Sequence, residues 1–374
     1  MNRLTIDLSA LRHNYQTIRG WVESHGATLT VVTKALCGHE GVLRALEQFG
    51  VESMGDSRIE NLRSIRAAAP SAEAWYLRPP HESALETLLP LCDVSLNSEL
   101  KTIRELQAKC EHIGQEHDIV LMIELGDLRE GVLPGALLEI AAAIDRMRNI
   151  NLLGVGANLG CLNGVIPMVE ELAQLCLYRE LLELKFGIEI PYVSAGTSAA
   201  LGLLRDGELP DAVNHFRIGE AIVLGTDPVT GDPISGLRND VVSVEAEIVE
   251  LKEKRLLSPI DSGNTPFDTK QIDEDIDPGQ RGYRAIVTIG HVDTDVNGLL
   301  PLDAECQIAG ASSDVTVLNV GEKKNGLSVG DTIAFRPSYS AFVRLMSNPY
   351  TRCELASLDE DIDVSLHVAT KSSV

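Results

Sequence analysis

Thr28-Leu-Thr-Val-Val-Thr33 is a run of β-branched and apolar residues that predicts a buried strand, and Lys34 follows it directly. The segment before this strand is predicted to be a helix that Asp7 or Ser9 caps, with an apolar face made of Leu8, Leu11, Tyr15, Ile18 and Val22. The chain therefore begins with a helix that leads into a buried strand.

The same alternation of short apolar runs and amphipathic stretches continues over the first 230 residues. Seven further runs are predicted to be strands, namely Val51–Met54, Trp75–Leu77, Val94–Leu96, Ile119–Glu124, Leu152–Ala157, Tyr192–Ser194 and Val213–Arg217. Strands that alternate with helices pair in parallel through right-handed crossovers. Eight such units favour a closed barrel, and an open doubly wound sheet is the alternative. No Gly-x-Gly-x-x-Gly motif follows the first strand, which favours the barrel.

After Gly231 the pattern changes to strands without long helices between them. The predicted strands are Val241–Val249, Arg284–Ile289, Ala304–Ile308, Asp314–Val320 and Asp331–Phe335. The fold class predicted is therefore α/β, with a (β/α)8 TIM-like barrel over residues 1–230 and a mostly β domain over residues 231–374.

Composition limits the function classes. Lys and Arg number 32 against 55 Asp and Glu, a net charge of −23, which argues against nucleic acid and anionic membranes as partners. The seven cysteines are odd in number and lack Cys-x-x-Cys spacing, which argues against a disulfide framework or a zinc site. The first residues lack the apolar stretch of a signal peptide, and there is no run of about 18 apolar residues. We expect a cytoplasmic protein.

Lys34 is the first candidate for chemistry. A lysine that ends a buried barrel strand lies at the mouth of the barrel, where active residues of such folds are found. Burial there disfavours the ammonium form and makes the amine nucleophilic. A surface lysine at the rim of the barrel is the alternative interpretation, and position alone does not decide against it.

Two later strand ends point to a phosphate site at the same mouth. Ser194-Ala-Gly-Thr-Ser198 follows the seventh predicted strand, and Arg217-Ile-Gly-Glu-Ala221 ends the eighth. Small residues with accessible amides and hydroxyls suit a phosphate, and barrels often hold phosphate at the loops after strands seven and eight. An amine and a phosphate site at one mouth predict a phosphorylated aldehyde cofactor.

Nine ordered motifs carry a family resemblance that covers most of the chain. They are Val32-Thr-Lys-Ala-Leu-Cys-Gly-His39, Asp56-Ser-Arg-Ile-Glu-Asn-Leu62, Ser95-Leu-Asn-Ser-Glu-Leu100, Glu124-Leu-Gly-Asp-Leu-Arg-Glu-Gly131, Gly156-Ala-Asn-Leu159, Ser194-Ala-Gly-Thr-Ser198, His215-Phe-Arg-Ile-Gly-Glu-Ala-Ile-Val-Leu-Gly225, Pro301-Leu-Asp303 and Gly310-Ala-Ser-Ser-Asp314. The chain resembles the alanine racemase superfamily, and the ornithine racemase branch most closely.

The resemblance implies a barrel and a β domain, pyridoxal 5'-phosphate as cofactor, and a homodimer in which each active site is completed by the partner's second domain. It implies that Lys34 carries the cofactor covalently and that Arg217 faces its pyridine nitrogen. The remaining implied cofactor contacts are Ser198, Gly219, Glu220 and Tyr339 at the phosphate, Arg129 near the phenolic oxygen, and Asn158, which stands where relatives carry a histidine.

Arg217 has a physical role that fits racemisation. A permanently charged guanidinium beside the ring nitrogen opposes its protonation, because two cations in contact repel each other. An unprotonated ring is a weaker electron sink, which limits side reactions. An arginine in a surface ion pair at the strand end is the alternative interpretation.

Racemisation in both directions requires two bases on opposite sides of the substrate carbon. Lys34 can serve one face, and alanine racemases use a tyrosine in a Gly-Tyr-x-Asp setting for the other. This chain has Gly290-His291-Val292-Asp293 there, so His291 is the predicted second base. The alternatives are Asp293, Cys37 and Tyr339, or a purely structural role for His291.

The predicted function is racemisation of a free amino acid, with ornithine or another basic amino acid as substrate. D-threonine aldolases and decarboxylases of basic amino acids share the barrel and β domain and are the competing enzyme classes. A cofactor-carrying protein of the single-barrel type is the non-enzymatic alternative, and the second domain counts against it.

Overall fold

The computed structural model describes residues 2–160, 164–256, 277, 279–324 and 326–357 of the chain. Contacts between residues divide it into two compact units, one spanning Leu11–Asn239 and the other combining Met1–Ala10 with Asp240–Val374. This division differs from the expected boundary between residues 230 and 231. Strand β1 (Arg3–Asp7) accounts for the difference at the N-terminus, because it pairs with strands of the C-terminal segment.

The unit Leu11–Asn239 contains a closed parallel barrel of eight strands, which confirms the predicted fold. The barrel strands are β2 (Thr28–Val32), β3 (Ser53–Asp56), β4 (Glu73–Tyr76), β5 (Val94–Asn97), β6 (His117–Met122), β7 (Ile150–Gly156), β8 (Tyr192–Gly196) and β9 (His215–Ile218). Each predicted strand overlaps one of these, and β2 pairs with β9 to close the ring.

Helices follow the strands in the order that a parallel barrel requires. They are α1 (Leu8–Ser24), which precedes the barrel, and α2 (Glu40–Gln48), α3 (Ile59–Ala68), α4 (Leu85–Leu88), α5 (Leu100–Ile113), α6 (Leu137–Ile144), α7 (Val169–Phe186), α8 (Leu201–Asp206) and α9 (Glu220–Leu224). Asp7 caps the first helix, because its Oδ1 accepts a hydrogen bond from the Ala10 amide at 2.9 Å.

The barrel interior is filled by side chains rather than open. Trp75, Val94, Leu96, Val120 and Met122 form one buried cluster, contributed by the neighbouring strands β4, β5 and β6. A filled interior leaves the carboxyl ends of the strands as the place where a barrel of this kind binds small molecules.

The other unit is built on an antiparallel sheet. Its order is β12-β15-β10-β11-β14-β13, and β1 joins it by pairing with β10 and β16. The bounds are β10 (Val242–Arg255), β11 (Arg281–Val287), β12 (Leu299–Pro301), β13 (Gln307–Ala311), β14 (Thr316–Asn319), β15 (Thr332–Pro337) and β16 (Arg352–Ala356), with helix α10 (Tyr339–Ser347) after β15. The mostly β character is confirmed, and β1, β12, β16 and α10 are additions to the prediction.

None of the helices among the described residues is both long enough and apolar enough to span a lipid bilayer.

Candidate active site

Lys34 lies where the sequence predicts, immediately beyond the carboxyl end of β2, as the first residue of a short 3-10 helix, Lys34–Leu36. The preceding Thr33 fixes the backbone at this point, because its amide donates to Gly55 O at 2.8 Å. Beyond the helix, Cys37 and Gly38 both have a left-handed backbone, with φ of 49° and 71°. In the single chain the side chain of Lys34 is exposed, so burial by this chain alone does not create the desolvated amine that the sequence suggested.

Asp56 anchors the end of β3 beside Lys34. Its buried carboxylate accepts hydrogen bonds from Thr33 Oγ1 at 2.9 Å, the Arg58 amide at 2.9 Å and Asn61 Nδ2 at 3.0 Å. Burial raises the pKa of Asp56, although these hydrogen bonds oppose the rise. The Asp56–Leu62 motif therefore ties the strand end next to Lys34 to helix α3.

Arg217 lies on β9 inside the barrel, with only 6% of its surface exposed. Its guanidinium donates to the carbonyl oxygen of Ser194 at 2.5 Å, to the Ser194 hydroxyl, to Ala157 O at 2.9 Å and to Asn158 Oδ1 at 2.9 Å. The alternative of a surface ion pair is wrong, because the group is buried. A buried, permanently charged guanidinium therefore lies at the carboxyl end of β9.

Asn158 connects Arg217 to a second arginine. Its Oδ1 accepts from Arg217, and its Nδ2 donates to Glu130 Oε1 at 2.5 Å. A guanidinium can only donate and a carboxylate can only accept, so the amide has one possible orientation. Glu130 in turn forms a bidentate ion pair with Arg129. The structure thus joins Arg129, Glu130, Asn158 and Arg217 in one hydrogen-bonded array.

The sequence prediction did not include Glu130, although it lies next to Arg129 in the Glu124–Gly131 motif. Burial raises the pKa of Glu130, but the hydrogen bond and charge of Arg129 and the charge of Arg217 outweigh this effect and lower it overall. Glu130 is therefore a carboxylate at neutral pH, which balances one of the two arginine charges in this array.

Below Arg217 a polar column runs through the barrel. Ser194 Oγ, which accepts from Arg217, lies 2.6 Å from His215 Nδ1, and His215 Nε2 lies 2.9 Å from Thr30 Oγ1. The imidazole stacks on Trp75 with ring centroids 4.4 Å apart. Burial and then the charge of Arg217 hold the pKa of His215 well below its usual range. His215 is therefore neutral and adds no second positive charge beside Arg217.

The loops after β8 and β9 form a cradle of small residues. Ser198 Oγ accepts from the Ala221 amide at 3.3 Å, and Gly219 packs so closely on β2 that a Cβ would lie 2.8 Å from Val32 O. The hydroxyl of Thr197 is buried and has no hydrogen-bond partner within the described part of the chain. Such a hydroxyl suits an anion bound in the cradle.

Glu220 begins α9 at the edge of this cradle. Burial raises the pKa of its carboxyl group to about 7, with Lys34 opposing the rise and Asp227 adding to it. The carboxyl group of Glu220 is thus electrostatically coupled to Lys34. A carboxylate repels phosphate, so the expected phosphate contact of Glu220 would have to come from its backbone amide.

His291 and Tyr339 belong to the unit that contains the antiparallel sheet. His291 lies in a tight turn after β11, where its amide donates to Ser312 O at 3.0 Å and Asp293 Oδ2 accepts from the Gly290 amide at 2.9 Å. Tyr339 begins α10. The structure brings the barrel candidates together at one mouth and places these two residues in the other unit.

The chain combines a parallel barrel, which carries a strand-end lysine, a buried arginine and a small-residue cradle, with an antiparallel β unit, and so has the two-unit architecture expected from the resemblance. The family model for the alanine racemase N-terminal domain matches residues 6–227. The chain belongs to the alanine racemase family.

Racemases of known name are similar to this chain over nearly its whole length. Ornithine racemase of Acetoanaerobium sticklandii is 35% identical over 354 residues, which are 94% of this chain and 99% of that protein. Lysine racemase of Thermotoga maritima is 33% identical and covers 93% of this chain and 96% of that protein. The structure of alanine racemase from Bartonella henselae with covalently bound pyridoxal phosphate has the same fold, with a TM-score of 0.72, 18% identity and coverage of 95% and 99%.

Proposed function

We propose that this protein is a pyridoxal-phosphate-dependent amino acid racemase that acts on a basic amino acid, with Lys34 as the residue that holds the cofactor. The observation that carries the proposal is the juxtaposition at one barrel mouth of Lys34, the buried Arg217 and the Thr197–Ser198 cradle. The two full-length relatives, an ornithine racemase and a lysine racemase, support the same conclusion.

The residues present fit the cofactor. Lys34 would bind its aldehyde carbon, the buried hydroxyls of Thr197 and Ser198 and the closely packed Gly219 would receive the phosphate, and Arg217 would meet the ring nitrogen. When bound, the cofactor withdraws electrons from the α-carbon of an amino acid and so acidifies its proton. The protein's own contribution is to orient the amino acid and to move that proton.

The electrostatics around Arg217 support its role beside the ring nitrogen. The guanidinium is permanently charged, and the neighbouring His215 is held neutral by burial and by Arg217 itself. Beside the ring nitrogen of the bound cofactor, the charge of Arg217 would oppose proton uptake there and so limit competing reactions at the substrate carbon.

Two bases are needed for inversion, and we assign Lys34 to one face and the partner subunit's copy of His291 to the other. Leu128 and Leu133, which are close to Arg129 in the sequence, are 75% and 65% exposed, and Val292 next to His291 is 60% exposed. In the proposed homodimer, these side chains belong to the surface that the partner covers. A homodimer that covers Lys34 would also supply the burial that a nucleophilic amine requires.

The proposed substrate is ornithine or lysine. It rests on the two relatives with these names and on the acidic character of the protein, whose net charge of −23 attracts a second ammonium group. Specificity is a ratio of kcat/KM values, so a chiral screen of ornithine, lysine, alanine and serine tests it. Turnover of alanine or serine far above that of ornithine and lysine would contradict the assignment.

Reductive trapping tests the role of Lys34. Borohydride treatment of the purified protein should fix the cofactor to Lys34, and peptide mapping should find the added mass there. Lys34→Ala should lose both the yellow colour of the bound cofactor and the trapped mass. Lys101 is an exposed lysine, and Lys101→Ala should keep both. Trapping on another lysine, or unchanged trapping in Lys34→Ala, would contradict the proposal.

A further inference from the structure

Residues 124–131 form a loop after β6, and the pairing of Ile123 with Val132 closes it. The backbone of this loop surrounds the carboxylate of Glu124. Glu124 Oε1 accepts hydrogen bonds from the amides of Gly126 and Leu128, and Oε2 accepts from the Arg129 amide at 3.0 Å. Three backbone donors therefore converge on one side chain, which sits at the start of the loop that carries Arg129. Hydrogen bonds to a charged acceptor are stronger than those between neutral groups.

The loop contains an unfavourable backbone conformation. Leu128 has φ of 52°, a left-handed conformation that disfavours residues with a side chain, and its side chain is exposed, so packing does not hold it there. At the end of the loop Gly131 crosses back over the entrance, where a Cβ would lie 2.3 Å from Glu124 N. Backbone hydrogen bonds from the Glu124 amide to Val132 O at 3.1 Å and from the Val132 amide to Met122 O at 2.7 Å join the ends of the loop, and the hydrogen bonds to the Glu124 carboxylate hold the residues between them.

The position of this loop determines where Arg129 and Glu130 lie relative to Arg217. Arg129 receives its backbone position from Glu124, its side chain pairs with Glu130, and Glu130 orients the amide of Asn158 toward Arg217. We propose that Glu124 is a positioning residue, whose carboxylate folds the loop so that Arg129 and Glu130 meet the array around Arg217. This inference rests on the proposed function, because the array serves the cofactor only if the mouth is the active site.

Glutamine is the informative substitution at this position. It has the same shape as glutamate but offers one acceptor oxygen and a two-donor amide in place of two acceptors. The three amides are shared between both carboxylate oxygens. In Glu124→Gln one of these oxygens becomes an NH2 group, which is a donor facing the Arg129 amide or the Gly126 and Leu128 amides, and those hydrogen bonds are lost. Glu139→Gln on α6 makes the same charge change at an exposed site outside the loop and is the matched control.

Amide hydrogen exchange of the peptide that spans residues 124–133, measured on the purified protein, reports how often the loop opens. Exchange through local opening reports the opening equilibrium. Loss of hydrogen bonds to a charged acceptor predicts exchange about 10-fold to 100-fold faster in Glu124→Gln, with Glu139→Gln unchanged. Racemase kcat/KM and cofactor affinity should fall with it in Glu124→Gln alone, while the thermal unfolding temperatures of the two variants stay close.

Leu128→Gly provides the rescue. Glycine adopts a φ of 52° without the penalty, so Glu124→Gln with Leu128→Gly should exchange more slowly than Glu124→Gln alone. Unchanged loop exchange in Glu124→Gln would overturn the proposal, and so would faster exchange with unchanged kcat/KM and cofactor affinity. Failure of the proposed function is recognised separately, as the absence of a trapped cofactor on Lys34 in the unmodified protein.

Discussion

The carboxyl group of Glu220 gives a stability prediction whose sign and size follow from its environment. Its pKa is raised from 4.5 to about 7, mainly by burial, with Asp227 adding to the rise and Lys34 opposing it. The folded protein therefore holds a proton on Glu220 that the unfolded chain has already released between pH 4.5 and pH 7. The associated stability is fully present below pH 4.5 and is lost as the pH rises to about 7.

The size of the effect follows from the two pKa values. Their separation, from 4.5 to about 7, corresponds to about 3 kcal/mol, because one pKa unit equals about 1.4 kcal/mol. Glu220 is half-buried, so water screens part of its charge and the measured loss should fall at about 1–3 kcal/mol. Above pH 7 the carboxylate remains charged beside Lys34, and the contribution stops changing with pH.

The assay compares cofactor-free wild-type protein with Glu220→Gln, which keeps the shape and removes the titration. Urea unfolding followed by tryptophan fluorescence suits this comparison, because Trp21 and Trp75 both belong to the barrel unit. We expect Glu220→Gln to gain about 1–3 kcal/mol relative to wild type between pH 4.5 and pH 8, whereas Glu139→Gln should show no such gain. Parallel curves for wild type and Glu220→Gln, or a change of opposite sign, would refute the reasoning.

Four further predictions concern the mouth and its partner. Gly219→Ala should weaken cofactor binding at least tenfold by equilibrium titration, because its Cβ would lie 2.8 Å from a carbonyl oxygen of β2. Arg217→Glu should lower stability by about 3–5 kcal/mol in unfolding experiments, since it removes four buried hydrogen bonds and buries a carboxylate among acceptors, while Arg217→Lys should cost less. Leu128→Asp should shift a dimer toward monomer in sedimentation and lower activity in parallel; an active monomer would remove the shared site. His291→Ala in deuterated water should exchange the α-proton of one enantiomer while net racemisation falls by about 10²–10⁴, and near wild-type racemisation would exclude His291 as the base.

The barrel was predictable because its signals are local. A β-branched run such as Thr28–Thr33 predicts a strand from its own residues, and the regular alternation of such runs with helical periodicity predicts that the strands pair in parallel. The cap at Asp7 and the positions of Lys34 and Arg217 at strand ends follow from the same pattern. Strands β1 and β12 escaped prediction because each is defined by its pairing with distant residues, and β12 has only three residues.

The site was predictable only in part. Residues in strand-end motifs, such as Ser198 and Asn158, were identified, whereas most of the hydrogen bonds that orient the site residues were not. Glu130 acts through a contact with Asn158, 28 positions away in the sequence, and Ser194 forms hydrogen bonds with both Arg217 and His215 inside the barrel. The exposure of Lys34 in the single chain is also a property of the folded surface, which no strand pattern encodes.

Chiral chromatography of ornithine incubated with the protein in deuterated water tests the racemase assignment most directly. Starting from either L-ornithine or D-ornithine, both reactions should approach the same equal mixture, with deuterium incorporated at the α-carbon, and Lys34→Ala should abolish both. The same screen extended to lysine and other common amino acids covers the choice of substrate. Unchanged enantiomers with every amino acid, or release of carbon dioxide or an aldehyde in place of inversion, would contradict the account.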